Sequence, residues 1–188
     1  FTTSTALTWA MFELSARPEW QTKLQAELMQ VTQGKPLTLE HLKQLNQMTN
    51  FLKEIERMYN PSGVAVFRGV VKPLEYGGYR IPVGWNVIVA QAITHYLPEI
   101  YSHPSQFDPE RFAPPREEDK KYPYSLIGFG GGEHVCIGIE FGKMQMKLFL
   151  STLLLRYRFE VIPPYSQVAP IDVPPKVEGQ LRALIQPI

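Results

Sequence analysis

Cys136 is the only cysteine in the 188 residues, and it lies in Phe-Gly-Gly-Gly-Glu-His-Val-Cys-Ile-Gly, residues 129–138. Gly130, Gly131 and Gly132 let the backbone turn tightly or come close to another group. Apolar residues recur behind the cysteine at helical spacing: Ile137, Phe141, Met144, Leu148 and Leu155. They predict a helix over about 137–156 with these side chains inward, Glu140, Lys143 and Lys147 outward, and Cys136 at the first turn. At that end the N–H groups lack partners and the dipole is positive, so a thiolate is favoured over a thiol. Three uses follow. The thiolate could attack a substrate with His134 as base. It could ligate a haem iron, which wants one thiolate, a flat loop and cations for its propionates. It could also be a buried structural thiol, the commoner fate of a lone cysteine.

Other residues with chemical potential are scattered. Glu54 and Arg57 stand i, i+3 on a predicted helix face and can pair, as such residues do on solvated faces. Arg111 follows in Phe-Asp-Pro-Glu-Arg-Phe, 107–112. Arg68 reads as a charge on an edge strand. Thr2 and Thr3 are hydroxyls that could simply bond back to helix carbonyls. His41, His95 and His103 have no metal-ligand spacing and read as surface or loop residues.

The elements that must hold these residues are mostly helical. Leu7, Met11 and Leu14 mark a first helix ending near Arg17-Pro18. Pro18 can start a second, with Trp20, Leu24, Leu28 and Val31 as its apolar stripe, broken by Gln-Gly-Lys-Pro at 33–36. Thr38 is an N-cap for a short helix through Leu45, and a fourth covers about Met48 to Met58. Residues 63–71 read as a strand, and 74–92 as two strands joined by glycine and proline. Residues 95–125 are irregular and proline-rich, and the tail is short strand pieces split by Pro163-Pro164, Pro170 and Pro174-Pro175. The predicted class is mainly α with small β-sheets (α+β).

Composition narrows the function. Lysine plus arginine number 19 against 18 acidic residues, a net charge of +1, so no global field draws nucleic acid or an anionic membrane. One cysteine excludes an internal disulfide and a multi-cysteine zinc or iron–sulfur site. No apolar run reaches the roughly 20 residues needed to span a bilayer. The chain opens on Phe1 within a predicted helix, so we expect N-terminal helices to be missing and targeting signals to be unreadable. Location is therefore open: cytoplasmic in a prokaryote, with or without an upstream anchor.

Phe129, Gly132, His134, Cys136 and Gly138 fit Phe-x-x-Gly-x-[Arg or His]-x-Cys-x-Gly, which resembles the haem-binding pattern of the cytochrome P450 family. Lys-Glu-Ile-Glu-Arg at 53–57 resembles that family's Glu-x-x-Arg helix, and 107–112 its proline-rich meander. Phe-Thr-Thr-Ser-Thr-Ala-Leu-Thr-Trp at the start resembles its distal oxygen-activation helix. The four occur in the family's order and span nearly the whole chain.

The resemblance implies that residues 1–188 are the C-terminal, haem-ligating part of a single P450 domain. It implies haem b with Cys136 as axial ligand, Phe129 packed beside the sulfur, and the Gly138 N–H bonding it. His134 and Arg68 would meet the propionates. Glu54, Arg57 and Arg111 would form a buried network holding the meander and cysteine loop. Thr2 would order the distal water chain. Phe1 stands where the family commonly has an acid, which some members, such as sterol 14α-demethylases, also lack. Val64, Ala65 and Val66, with the turn at 173–175, would line an apolar pocket. The implied function is monooxygenation of a small sterol-, retinoid- or fatty-acid-like molecule, using O2 and an electron-donor protein, a ferredoxin or flavoprotein reductase. Lys143, Lys147 and Arg156 would give that donor a basic face. Two other readings stand beside it: a non-catalytic haem-binding or structural piece, and a hydrolase using Cys136 and His134, which lacks an orienting acid.

Overall fold

The computed structural model describes residues 1–62, 66–162 and 181–188, Val66 by its backbone alone. Val64, Ala65, the Val66 side chain and the turn at 173–175 therefore lie outside the described residues. Among the described residues the fold is mainly helical with three two-stranded sheets.

Helices α1 (Thr2–Ala16) and α2 (Pro18–Thr32) meet at Arg17, whose φ of −134° and ψ of 75° leave the helical region. Proline at 18 forces this, because its ring crowds the preceding residue out of the α conformation. Gln33 at φ 49° and Gly34 at φ 75° end α2 in left-handed geometry. Helix α3 (Leu39–Gln44) is capped reciprocally. The His41 N–H reaches Thr38 Oγ1 at 3.3 Å, and the Thr38 N–H reaches His41 Nδ1 at 3.2 Å. Histidine thus takes the place usually held by glutamate in a capping box. Helix α4 is Asn46–Met58.

The β region departs from the two strands expected over 74–92. Gly77 and Gly78, at φ 56° and 82°, form a hairpin turn between β2 (Leu74–Tyr76) and β3 (Tyr79–Ile81). Two consecutive positive-φ residues suit the twist of a hairpin. A third strand, β4 (Asn86–Val89), leaves that hairpin to pair antiparallel with β1 (Val66–Gly69), placing Arg68 opposite Val87. Residues Gln91–His95 are helix α5 and not strand. Prolines bring short 3-10 turns at Pro109–Phe112 and Glu118–Lys120. Helix α6 (Ile139–Leu154) leads into β5 (Tyr157–Ile162), which pairs antiparallel with β6 (Arg182–Pro187).

One apolar core gathers α1, α2, α4, α6 and β5 through Trp9, Leu14, Leu24, Phe51, Leu150 and Phe159. Buried glutamines satisfy carbonyls where helices end. Gln21 Nε2 donates to Leu14 O at 3.0 Å and Phe159 O at 2.8 Å, and Gln25 Nε2 to Leu154 O at 3.0 Å. Tyr59 stacks on Trp9 at 4.1 Å and donates to the buried Glu13 carboxylate, fixing α1 against α4.

The expected inward face of α6 is the wrong one. Gly142, Met146, Leu150 and Leu154 are buried, at spacings of four residues that put them on a single face. Ile137, Phe141, Met144 and Leu148 are exposed, and only Leu155 of the expected set packs on the core. The helix is apolar on two faces, and the core takes the one carrying Met146, Leu150 and Leu154.

Candidate functional site

The loop carrying Cys136 is closed by its own backbone. The Cys136 N–H donates to Phe129 O at 2.8 Å, the Gly130 N–H to Ile127 O at 2.8 Å, and the Val135 N–H to Gly132 O at 3.2 Å. Gly130 and Gly132 have φ of 77° and 66°, so the turn requires residues without a Cβ. Gly138 caps α6, and a Cβ there would stand 3.8 Å from the sulfur. Cys136 is exposed, against its reading as a buried structural thiol. Val135 and Ile137 on either side also point outward, Ile137 completely. His134 is exposed too.

An exposed sulfur just before α6, flanked by outward apolar side chains and a backbone opened by glycine, suits a flat apolar macrocycle bound through its metal. Among the described residues no group of three or more His, Cys, Asp or Glu could hold a metal ion. Metal chemistry at Cys136 would use this one protein ligand, with the others supplied by the macrocycle. These residues fit haem.

Phe129 packs against the main core, and the Lys143 ammonium lies 5.4 Å over its ring. Lys147 is half-buried and donates to Leu42 O at 2.9 Å, tying α6 to α3; burial lowers its pKa. The two lysines expected on the outward face thus work within the fold, while Arg156 is exposed. Arg68 is exposed on β1 and bonds Phe67 O at 3.1 Å; no hydrogen bond or ion pair among the described residues joins it to the cysteine loop. Thr2 is the exposed first residue of α1. Thr5 and Thr8 make the back-bonds to Phe1 O and Ser4 O, whereas the Thr2 hydroxyl makes none among the described residues.

The acidic and basic residues that looked like surface pairs are brought together in the interior. Glu54, Arg57 and Arg111 are at most 1% exposed. Arg57 grips Glu54 with two bonds, Nε to Oε2 at 2.7 Å and Nη2 to Oε1 at 2.8 Å. Arg111 Nε reaches Glu54 Oε1 at 3.1 Å, and its Nη1 reaches Glu118 Oε2 at 2.8 Å. Two carboxylates balance two guanidiniums, the condition for burying charge. Remaining guanidinium protons go to loop carbonyls: Arg57 to His95 O at 2.8 Å, Arg111 to Ser102 O at 2.7 Å and Gln106 O at 3.0 Å. Both cations also face the Tyr101 ring, at 5.2 and 5.9 Å. Burial alone would raise the Glu118 pKa; hydrogen bonds from Ser102, Arg111 and Arg116 outweigh it and hold it down at about 2. Glu118 sits in Arg-Glu-Glu-Asp-Lys-Lys, a run that reads as solvated surface, and only its spacing from the meander could have marked it.

His95 corrects the sequence reading most sharply, being fully buried and not on the surface. Its Nδ1 lies 3.1 Å from Arg57 O, and its Nε2 accepts the Ile127 N–H at 3.0 Å. It therefore joins the Glu-Arg helix to the start of the cysteine loop. Desolvation lowers its pKa from 6.5 to about 4. The folded state binds this proton less tightly than the unfolded one, so stability is full above pH 6.5 and is lost as pH falls toward 4. The expected loss is about 3 kcal/mol. Urea unfolding of the protein at pH 7 and pH 4.5 measures it. His95→Gln should flatten that slope; an unchanged slope in the variant contradicts the assignment.

Comparison with known proteins agrees with this geometry. The family model described as cytochrome P450 matches residues 1–181. The Mycobacterium tuberculosis chain provisionally named cytochrome P450 136 is 42% identical over 165 residues, covering 88% of this chain and 33% of that one. A sterol 14α-demethylase of Mycolicibacterium vanbaalenii is 35% identical over 164 residues, covering 87% of this chain and 36% of that one. The structure of retinoic acid-bound cyanobacterial CYP120A1 superposes with a TM-score of 0.90 at 28% identity, over 100% of this chain and 43% of that one. The chain thus spans about a third of the length of the curated relatives it matches.

Proposed function

Because the chain belongs to the cytochrome P450 family, we propose that it is the haem-ligating, C-terminal part of a monooxygenase that places one oxygen atom of O2 in a lipophilic substrate. The observation that carries this is the exposed Cys136 at the mouth of α6, on a loop tied through His95 to the buried Glu54–Arg57–Arg111 cluster. Haem b, when bound, supplies the activation of O2 and the oxygen transfer.

The chain's own residues do the holding and orienting. Cys136 offers its exposed sulfur as the protein ligand to the iron, on the loop that leads into α6. Gly138 lies beside the sulfur, where its N–H would bond it. His134 and Arg68 would bind the propionates. Thr2, with its hydroxyl uncommitted within α1, would hold a water and pass its proton. Phe1 beside it has no proton to give, so the relay must continue through other groups or the substrate. Val64, Ala65 and Val66 would supply apolar wall. The names of the demethylase relative and the retinoic acid complex favour a sterol- or retinoid-like substrate. Electrons would come from a ferredoxin or flavoprotein reductase.

Thr2→Ala in the full-length protein tests the catalytic reading. Electrons should pass to hydrogen peroxide and product per electron pair should fall, with the spectrum of the resting protein unchanged. Unchanged coupling removes Thr2 from proton delivery. A wild-type protein that binds haem but consumes no O2 with any electron donor favours the non-catalytic haem-binding reading instead.

A further inference from the structure

On α4, Glu56 lies two residues from Glu54, a turn of about 200° around the helix axis, so it cannot join the buried ion cluster. It faces α6 and the cysteine loop instead. It lines a groove of about 590 Å³ with Leu52, Lys53, Phe129, Lys143 and Met146. Its side chain lies directly along Gly128. A Cβ on Gly128 would fall 2.7 Å from Glu56 Oε1 and 2.9 Å from Cδ, closer than any side chain allows. The Gly128 backbone amide faces the carboxylate and favours its charged form. The next residue is Phe129, whose carbonyl receives the Cys136 N–H at 2.8 Å.

We propose that Glu56 is a positioning residue for the cysteine loop: its carboxylate holds the Gly128 backbone against α4, and its charge sets the electrostatics of the bound thiolate–haem unit. The proposal rests on the haem-thiolate reading above.

The groups around Glu56 leave its charge weakly compensated. Lys53, on the same helix, is paired with Asp119 at 2.6 Å, and Asp119 itself opposes a carboxylate. Lys143, from α6, is placed over the Phe129 ring. Lys43 of α3 and Glu140 and Lys147 of α6 stand on the groove wall, with Lys147 committed to Leu42 O. Desolvation outweighs the help of Lys143, Gly128 and Lys53 and pushes the Glu56 pKa up to about 7. The residue therefore changes charge at neutral pH while lying against Gly128, two residues before the loop's first glycine turn. Its neutral form is the one favoured by folding. The stability it contributes is full below pH 4.5 and is lost as pH rises to about 7.

The test uses the full-length holoprotein, the midpoint potential of its haem and its urea unfolding midpoint, each from pH 5 to pH 8.5. Added negative charge disfavours an added electron, so the wild-type potential should fall as pH rises, with an inflection near pH 7. Glu56→Gln keeps the shape and an acceptor oxygen without the charge. It should remove the inflection and raise the unfolding midpoint at pH 8 more than at pH 5. The same inflection in wild type and variant overturns the proposal. A wild-type protein without a thiolate-type spectrum overturns both this proposal and the reading beneath it, which separates the two failures. Gly128→Ala tests the contact independently. It should shorten the lifetime of the thiolate spectrum at least tenfold beside Glu56 and leave it unchanged in a Glu56→Ala background. Equal effects in both backgrounds overturn the contact.

Discussion

Arg57→Leu in the full-length protein is expected to cost about 3–5 kcal/mol of folding free energy, several times the loss at an ordinary exposed position. The cost comes from what is left behind. Glu54 would keep one bond from Arg111 and the Asp108 N–H at 2.8 Å, both on Oε1, and its Oε2 would stay buried without a cation. His95 O and Gln106 O would each lose the Arg57 donor. Arg57→Lys should recover only part, since a point charge cannot replace a two-pronged guanidinium. Urea unfolding measures both variants. A loss for Arg57→Leu no larger than that of an exposed substitution would show that the cluster does not hold the meander and loop.

Cys136→Ala separates ligation from folding. The side chain is exposed and lies outside the apolar core, so between haem-free proteins its loss should change stability by no more than about 0.5 kcal/mol. Its loss should nevertheless abolish thiolate-ligated haem completely. Haem content, the carbon monoxide spectrum and the unfolding midpoint, taken on one preparation, separate the two effects. A variant that folds and keeps a thiolate spectrum would mean that another group binds the iron. A variant that unfolds where haem-free wild type stays folded would mean that Cys136 has a packing role absent from the geometry.

Much of the helical framework is legible in the chain, because proline and glycine fix its breaks. Pro18 divides α1 from α2, Gln33-Gly34 stops α2, and Thr38 starts α3. The cysteine ahead of a helix is legible too, from the glycines before it, although α6 starts at Ile139 with Gly138 as its cap, so that Cys136 precedes the first turn expected to hold it. What is not legible is which side of an element faces what. Helix α6 carries two apolar faces, and period alone ranks the exposed Phe141 and Leu148 above the buried Met146 and Leu150. Long-range partners are hidden for the same reason. Glu54 and Arg57 look like any solvated i, i+3 pair on local pattern alone; the family resemblance adds Arg111, and Glu118 has no signal of its own. His95 has no local pattern; its meaning comes from Arg57 and Ile127, both about 30 or more residues away in sequence. Glu56 reads as one more charge on an exposed face, and only Gly128 lying against it reveals otherwise.

The measurement closest to the central claim is the absorbance spectrum of the full-length protein, reduced and exposed to carbon monoxide. Sulfur from Cys136 bound to iron predicts the strongly red-shifted Soret band of thiolate-ligated haem, lost in Cys136→Ala. A band at the position given by histidine ligation, or protein that takes up no haem at all, would contradict the account.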